Sequence, residues 1–278
     1  MRYIATIITI VLFIASCTEK IDIDVGTTYE RFIVEGTLTT DTMKHGVKLI
    51  KSIDYYAIEQ PPTISNAIVT IDDGVNKITL EENKEEPGNY ETDENYFGVA
   101  GRTYLLEIEI PEAINGYKTF SATSELKPVA PIDSIRVEYI EKWAVWELQI
   151  YAWDPPTEDF YSFEVFKNNI EITDTITKRG ISDDRFFNGN YTFGVPVYYF
   201  SSGYEPEFVY PGDTITLKMG GITKDYYNFI IELMDQTFEY RNPLFSGPPA
   251  NIRTNISNGG LGFFAAYSTS YSSVVYQE

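Results

Sequence analysis

The chain has 278 residues, 43% of them hydrophobic and 15% aromatic, with 21 Lys and Arg against 41 Asp and Glu for a formal charge of −20. That length and apolar content supply one large or two ordinary hydrophobic cores, while the charge excludes nucleic acid and anionic lipid as electrostatic partners. One cysteine and one histidine leave no material for a disulfide or a His-rich zinc site. The 22 Tyr and 17 Phe lie mostly in alternating stretches, which favours strands.

In chain order, the first legible stretch is the amino terminus. Met1-Arg2-Tyr3 supplies a positive segment, and Ile4 to Ile14 is an apolar run too short to span a bilayer of ~30 Å as a helix. Small residues Ala15 and Ser16 directly before Cys17 match the lipobox of bacterial lipoproteins. Residues 1–16 are therefore expected to be cut away, with acyl chains on the Cys17 thiol and on the new amino terminus. Each buried CH₂ contributes ~0.8 kcal/mol, so more than one chain makes a firm membrane anchor. Losing Arg2 takes the mature charge to −21 (−20 minus one positive charge). Lipid consumes the only thiol, and residues 17–28, with Ile21-Asp22-Ile23-Asp24, read as a polar tether.

Over residues 29–126 the pattern predicts a β-sandwich. Arg31 to Thr39 alternates, Val47 to Ile53 follows, and Ala67 to Ile71 and Lys77 to Leu80 flank an Asp73-Gly74 hairpin signal. Pro87-Gly88-Asn89-Tyr90 is a turn, and Thr103 to Ile110 and Tyr117 to Ala122 pair around Asn115-Gly116, which tolerates the positive φ of a type I′ turn. Pro128 and Pro131 make residues 127–131 a linker, since proline donates nothing to a ladder.

A second sandwich is expected over residues 132–278. Ser134 to Ile140, Val145 to Trp153, Phe160 to Lys167 and Glu171 to Thr177 are strand-like, punctuated by Asp154-Pro155-Pro156 and Asn168-Asn169. Asp183 to Tyr210 is irregular and aromatic. Its Tyr198, Tyr199 and Tyr204 read either as a binding surface, where rigid rings bury area for little entropy, or as core and edge residues. Lys224 to Tyr240 switches to helical period: Tyr226, Phe229, Ile230, Leu233 and Met234 form an apolar face, Thr223 is the N-cap, and Asn242-Pro243 ends the helix. Leu261 to Tyr267 and Ser273 to Tyr276 read as two closing strands. The fold class is all-β, two β-sandwich domains in series, the second with one packed helix.

No chemical constellation emerges. His45 sits in a polar turn, Asp41 to Gly46, and reads as a solvated loop residue. Gly220-Gly221 and Gly259-Gly260-Leu261-Gly262 lack the strand-to-helix context and the Lys of a phosphate cradle and read as bends or caps. The acid pairs Asp72-Asp73, Glu81-Glu82, Glu85-Glu86 and Asp183-Asp184 are adjacent, so on a strand they point to opposite faces; they read as solvated turns. Asp183-Asp184 lacks the Asp-x-Asp-x-Asp-Gly spacing of an EF-hand loop. No enzyme, cofactor or metal is expected.

Several motifs in order resemble a known family, the Bacteroidetes lipoproteins grouped as domain of unknown function 4249. They are Cys17 with Ile21-Asp22-Ile23-Asp24, Phe32-Ile33-Val34-Glu35-Gly36, Asn66 to Ile71, Pro87 to Tyr90, Gly101 to Leu106, Ile132-Asp133-Ser134-Ile135 and Gly259 to Phe264. The resemblance implies an outer-membrane lipoprotein, often encoded beside TonB-dependent transporters, and transfers no catalytic residue. The expected role is a non-enzymatic accessory or ligand-capture partner of such a barrel; the alternative is an adhesive or glycan-binding module of the cell surface. Asp-(Ser/Thr)-apolar triplets resemble the O-glycosylation acceptor of the same bacteria, which makes Thr42, Ser134, Thr175 and Thr214 candidate acceptors.

Overall fold

The computed structural model describes residues 30–53, 58–237 and 252–277. Cys17 and its tether, and the end of the expected helix beyond residue 237, lie outside them.

Alternation builds the first half. In β1 (Phe32–Thr39) Phe32, Val34 and Leu38 are buried while Glu35 and Thr37 are exposed. β1 pairs antiparallel with β2 (Gly46–Lys51), and β6 (Asn89–Glu91) and β5 (Glu81–Glu82) continue that sheet. Facing it are β3 (Ile68–Asp72), β4 (Lys77–Thr79), β7 (Thr103–Ile114) and β8 (Tyr117–Glu125), in the order β4-β3-β7-β8. Asn115 and Gly116 take φ of 52° and 84°, as the turn chemistry requires. Between the sheets Phe32, Val34, Leu49, Val69, Tyr104, Leu106 and Phe120 form one core.

The second half uses a similar pairing of layers. β9 (Ser134–Ile140), β10 (Val145–Tyr151) and β14 (Val195–Ser201) form a three-stranded sheet. β11 (Phe160–Lys167), β12 (Ile170–Glu171), β13 (Gly180–Asp183), β15 (Thr214–Ile222) and β16 (Leu261–Val275) lie opposite. Trp146, Leu148, Ile150, Phe163, Val165, Phe200 and Leu217 fill the space between. Three local expectations are corrected. Glu171 to Thr177 holds only the end of β12 followed by a 3₁₀ turn at Ile176–Lys178. The irregular aromatic segment contains β14. The two closing strands are one strand of 15 residues; its polar middle, Ser268 to Ser273, looked like a break because its hydroxyls face partners rather than core, Ser268 donating to the Lys127 carbonyl at 2.6 Å.

That long strand joins the halves. Its first part runs parallel to β1, from Ile33 opposite Leu261 to Thr39 opposite Tyr267, and its second part runs antiparallel to β15, from Gly221 opposite Ser268 to Thr214 opposite Val275. The result is one nine-stranded sheet, order β12-β11-β15-β16-β1-β2-β6-β5 with β13 on β11, shared by both sandwiches. Residues expected in the second half thus serve the first: Ile256, Phe264 and Ala266 belong to its core. Phe264 and Ala266 of β16 enter the first core and Val274 packs against the second, while Phe263, Ala265 and Tyr267 face the other side. There α1 (Lys224–Thr237) lays Tyr226 and Ile230 on them, with Tyr226 and Phe229 each 5.1 Å from the Phe263 ring. Thr223 caps the helix by accepting the Tyr226 amide at 3.3 Å.

Two glycines make the shared strand feasible. Gly262 takes φ of +85°, and a Cβ there would sit 2.0 Å from the Val34 carbonyl oxygen. Gly220, inside β15 rather than at a bend, leaves room for the Tyr267 ring, which a Cβ would meet at 2.9 Å. Gly262→Ala is therefore expected to destabilise the whole fold by roughly 3 kcal/mol or more, through both strain and a displaced β1 ladder. Thermal unfolding checks it; an unchanged melting temperature would show that the parallel pairing is not under this constraint.

Candidate functional site

The three predicted tyrosines are not brought to one surface. On β14 successive side chains alternate, so Tyr198 turns toward the core, its ring 4.9 Å from Phe200 in an edge contact, while Tyr199 is exposed beside Glu147 on the other face. Burial and the neighbouring Glu207 carboxylate push the Tyr198 phenol above its ordinary value. Tyr204 is exposed beyond the strand, with the Lys178 ammonium 5.4 Å over its ring. Tyr198→Ala is expected to cost about 2 kcal/mol, a fall of roughly 4–8 °C in melting temperature, whereas Tyr199→Ala and Tyr204→Ala leave it within about 1–2 °C. Equal effects from all three would contradict this separation.

A different aromatic cluster stands at the end of β10. Trp153 pairs its backbone with Tyr191, the Asp154 amide donates to the Asn190 carbonyl at 3.0 Å, and the Thr192 amide to the Ala152 carbonyl at 3.0 Å. This clamps residues 152–154 and 190–192 side by side. Their rings stack in a row: Trp153 and Tyr191 are 5.4 Å apart and tilted by 57°, Tyr191 and Phe193 4.9 Å apart at 80°. Trp153 is 65% exposed and Phe193 80%. Phe193 also adopts φ of +49°, a region that costs a bulky residue strain.

Behind the row, Asp154, Asp159 and Asp184 place carboxylate oxygens within 4.8 Å of one another. Asp184 is buried, not the solvated turn residue expected, because its carboxylate accepts the Asp159 amide at 2.9 Å. Asp154 accepts the Tyr161 hydroxyl at 2.5 Å and the Gly189 amide at 3.2 Å. Burial first, and the two neighbouring acids next, raise Asp154 above the usual carboxylate range. These oxygens already take the chain's own donors, and three carboxylates fall short of the 6–8 ligands a Ca²⁺ ion collects. Their role is to tie the loops that carry the rings. Neither composition nor spacing announces this trio, since 25 residues separate Asp159 from Asp184.

The remaining sequence candidates resolve individually. Asp73 is buried as well, contrary to expectation: it accepts the Val75 and Asn76 amides and the Arg102 guanidinium at 2.6 Å, which hold it low despite burial. Glu82 accepts the Asn66 and Gly88 amides, and Glu81, Glu85 and Glu86 are exposed. Among the glycosylation candidates Thr42, Ser134 and Thr175 are exposed, and Thr214 is half-buried at the start of β15. Among the described residues no helix is long and apolar enough to cross a membrane.

His45 is corrected too. It is 4% exposed rather than solvated, because the turn folds back on itself: the Thr39 amide donates to Nδ1 at 3.4 Å, so Nε2–H donates to the Asp41 carbonyl at 3.0 Å. Burial holds the imidazole below its ordinary value, partly offset by the Asp41 and Tyr96 carbonyls. A group depressed on folding takes its proton more readily when unfolded. The stability it supplies is present above the unfolded value of ~6.5 and lost as pH falls through the folded one. Asp154 and Glu171, both raised by burial, act in the opposite sense. His45→Gln is therefore expected to flatten the decline in melting temperature between about pH 7 and about pH 5. Parallel profiles for the two proteins would remove His45 from that role.

The model of a family described as domain of unknown function (DUF4249) matches residues 18–273. No curated protein matches the chain. Among solved structures, a "putative carbohydrate binding protein" from Bacteroides uniformis is similar at 11% identity, over 69% of this chain and 88% of that one, with a TM-score of 0.20. A score that low carries no argument about fold or ligand.

Proposed function

The chain belongs to the family of domain of unknown function 4249, and we propose that it is a non-enzymatic outer-membrane lipoprotein, held by lipid on Cys17, that serves a TonB-dependent transporter as an accessory. The observation that carries this reading is the exposed ring row. Trp153, Tyr191 and Phe193 form an apolar row on clamped backbone, strained at Phe193, and the cavity that Trp153 and Thr192 line is about 140 Å³, below the ~300–1,000 Å³ of small-ligand sites. Large aromatic rings of this kind are the anchors of protein interfaces, where a partner's surface desolvates them. Lipid at the amino terminus supplies residence at a membrane, and the acidic surface keeps the remainder of the chain off anionic headgroups.

The test is co-purification from the native host. Tagged protein is solubilised gently from outer membranes beside Cys17→Ala and a Trp153→Ala/Phe193→Ala double variant. A stoichiometric barrel is expected with the native protein and lost with both variants, the double variant keeping its melting temperature because neither ring supports the core. A lipoprotein recovered alone, yet shaved from intact cells by protease, would overturn the accessory role and favour an independent surface module.

A further inference from the structure

At the other end of the three-stranded sheet, seven residues of β10 and roughly 23 Å from Trp153, lies a groove of about 600 Å³. Its floor is a continuous row of rings from three separate stretches. Tyr139 to Trp146 is 5.0 Å, Trp146 to Phe208 4.7 Å and Phe208 to Tyr210 5.1 Å between centroids. The row is supported from below and open above: Trp146 is buried, while Tyr139 is 41% and Tyr210 50% exposed. Tyr210 is pinned by a turn in which the Asp213 carboxylate accepts its amide at 2.9 Å and its carbonyl accepts the Asp213 amide at 3.0 Å. The floor is thus rigid before any ligand arrives, which lowers the entropy lost on binding.

The rim is polar. Arg136 and Glu138 alternate with the inward Val137 on β9 and stand 3.7 Å apart, largely exposed, and Gln277 lies against the same groove. A guanidinium offers only donors, a carboxylate only acceptors and an amide both. Aromatic floor plus mixed donors and acceptors at the edge matches one chemistry in particular: sugar rings, whose C–H faces stack on aromatics while their hydroxyls both donate and accept. A purely aliphatic ligand would bury Arg136 and Glu138 without partners. Anionic polymers are opposed by Glu138 and Glu141 at the rim and by a formal charge of −20.

We propose that this groove, floored by Tyr139, Trp146, Phe208 and Tyr210, binds a neutral oligosaccharide. Its volume lies within the ~300–1,000 Å³ of small-ligand sites and suits a short run of sugar residues. The proposal goes beyond the accessory role and does not depend on it.

Isothermal titration of the soluble Cys17→Ala chain tests it, with hexasaccharides of β-1,4-glucan, β-1,3-glucan, mannan and xylan, and an oligogalacturonate as the anionic control. At least one neutral hexasaccharide is expected to bind. Tyr139→Ala and Tyr210→Ala should each weaken it about tenfold or more at unchanged melting temperature, while Trp153→Ala leaves it intact. Where a ring variant melts lower, Arg136→Ala, a surface substitution, decides in its place. No heat with any neutral sugar, binding of the anionic control alone, or binding that survives the ring and rim substitutions would overturn the proposal. None of these outcomes bears on co-purification of a barrel, so the two readings fail separately.

Discussion

Everything in this molecule depends on one strand having two partners of opposite sense. β16 completes the first sandwich through parallel pairing with β1 and the second through antiparallel pairing with β15. Removing it would open an unpaired edge in both halves at once, and an exposed edge is the standard route to aggregation. The coupling also spans most of the chain, since Ile33 meets Leu261. Closing so long a loop before its contacts reward it makes this pairing a late and slow event in folding. Residues 127–131 between the halves lie along the same strand, Lys127 bridging Tyr267 and its carbonyl accepting the Ser268 hydroxyl.

On the helix-free part of the same sheet face, a ladder of charges locks that arrangement. Glu164, Lys218 and Tyr271 are cross-strand neighbours on β11, β15 and β16. Lys218 lies 3.1 Å from Glu164 and 3.9 Å from Asp41, which the turn after β1 brings over from the first half. Burial alone would raise Asp41; hydroxyls of Tyr271 and Thr269, each at 2.7 Å, together with Lys218 outweigh it and hold the carboxyl low. Buried ion pairs contribute little net stability after desolvation but penalise a wrong register heavily. A slip of one residue would turn every member of this ladder into the core. Register, rather than raw stability, is what the ladder secures.

The two candidate surfaces occupy opposite ends of the small sheet β14-β10-β9, and both depend on the larger sheet behind it. With the inner face packed on β11 and β15, strand ends and loops are free to carry unusual chemistry. One end carries a row of exposed rings beside a strained Phe193; the other lines a groove with rings and a polar rim. An exposed row and a groove suit different partners, a folded protein for the first and a small flexible ligand for the second.

Much of the local structure was decided by short-range physics and could be read directly. β9 and β11 fall where alternation puts them, Asn115-Gly116 makes its turn, and α1 begins at the Thr223 cap, because period, turn chemistry and capping involve only residues a few positions apart. Tertiary structure decided the rest. Whether Ser268 to Ser273 breaks a strand or feeds a polar ladder depends on what lies opposite, and no local propensity contains that. His45 and Asp184 look solvated until a fold-back and a distant loop bury them. Tyr198 and Tyr199, adjacent and chemically alike, part company because a strand sends neighbours to opposite faces and only one face met a core. The ring row of the groove joins residues 139, 146, 208 and 210, which only a specific register of three segments can align.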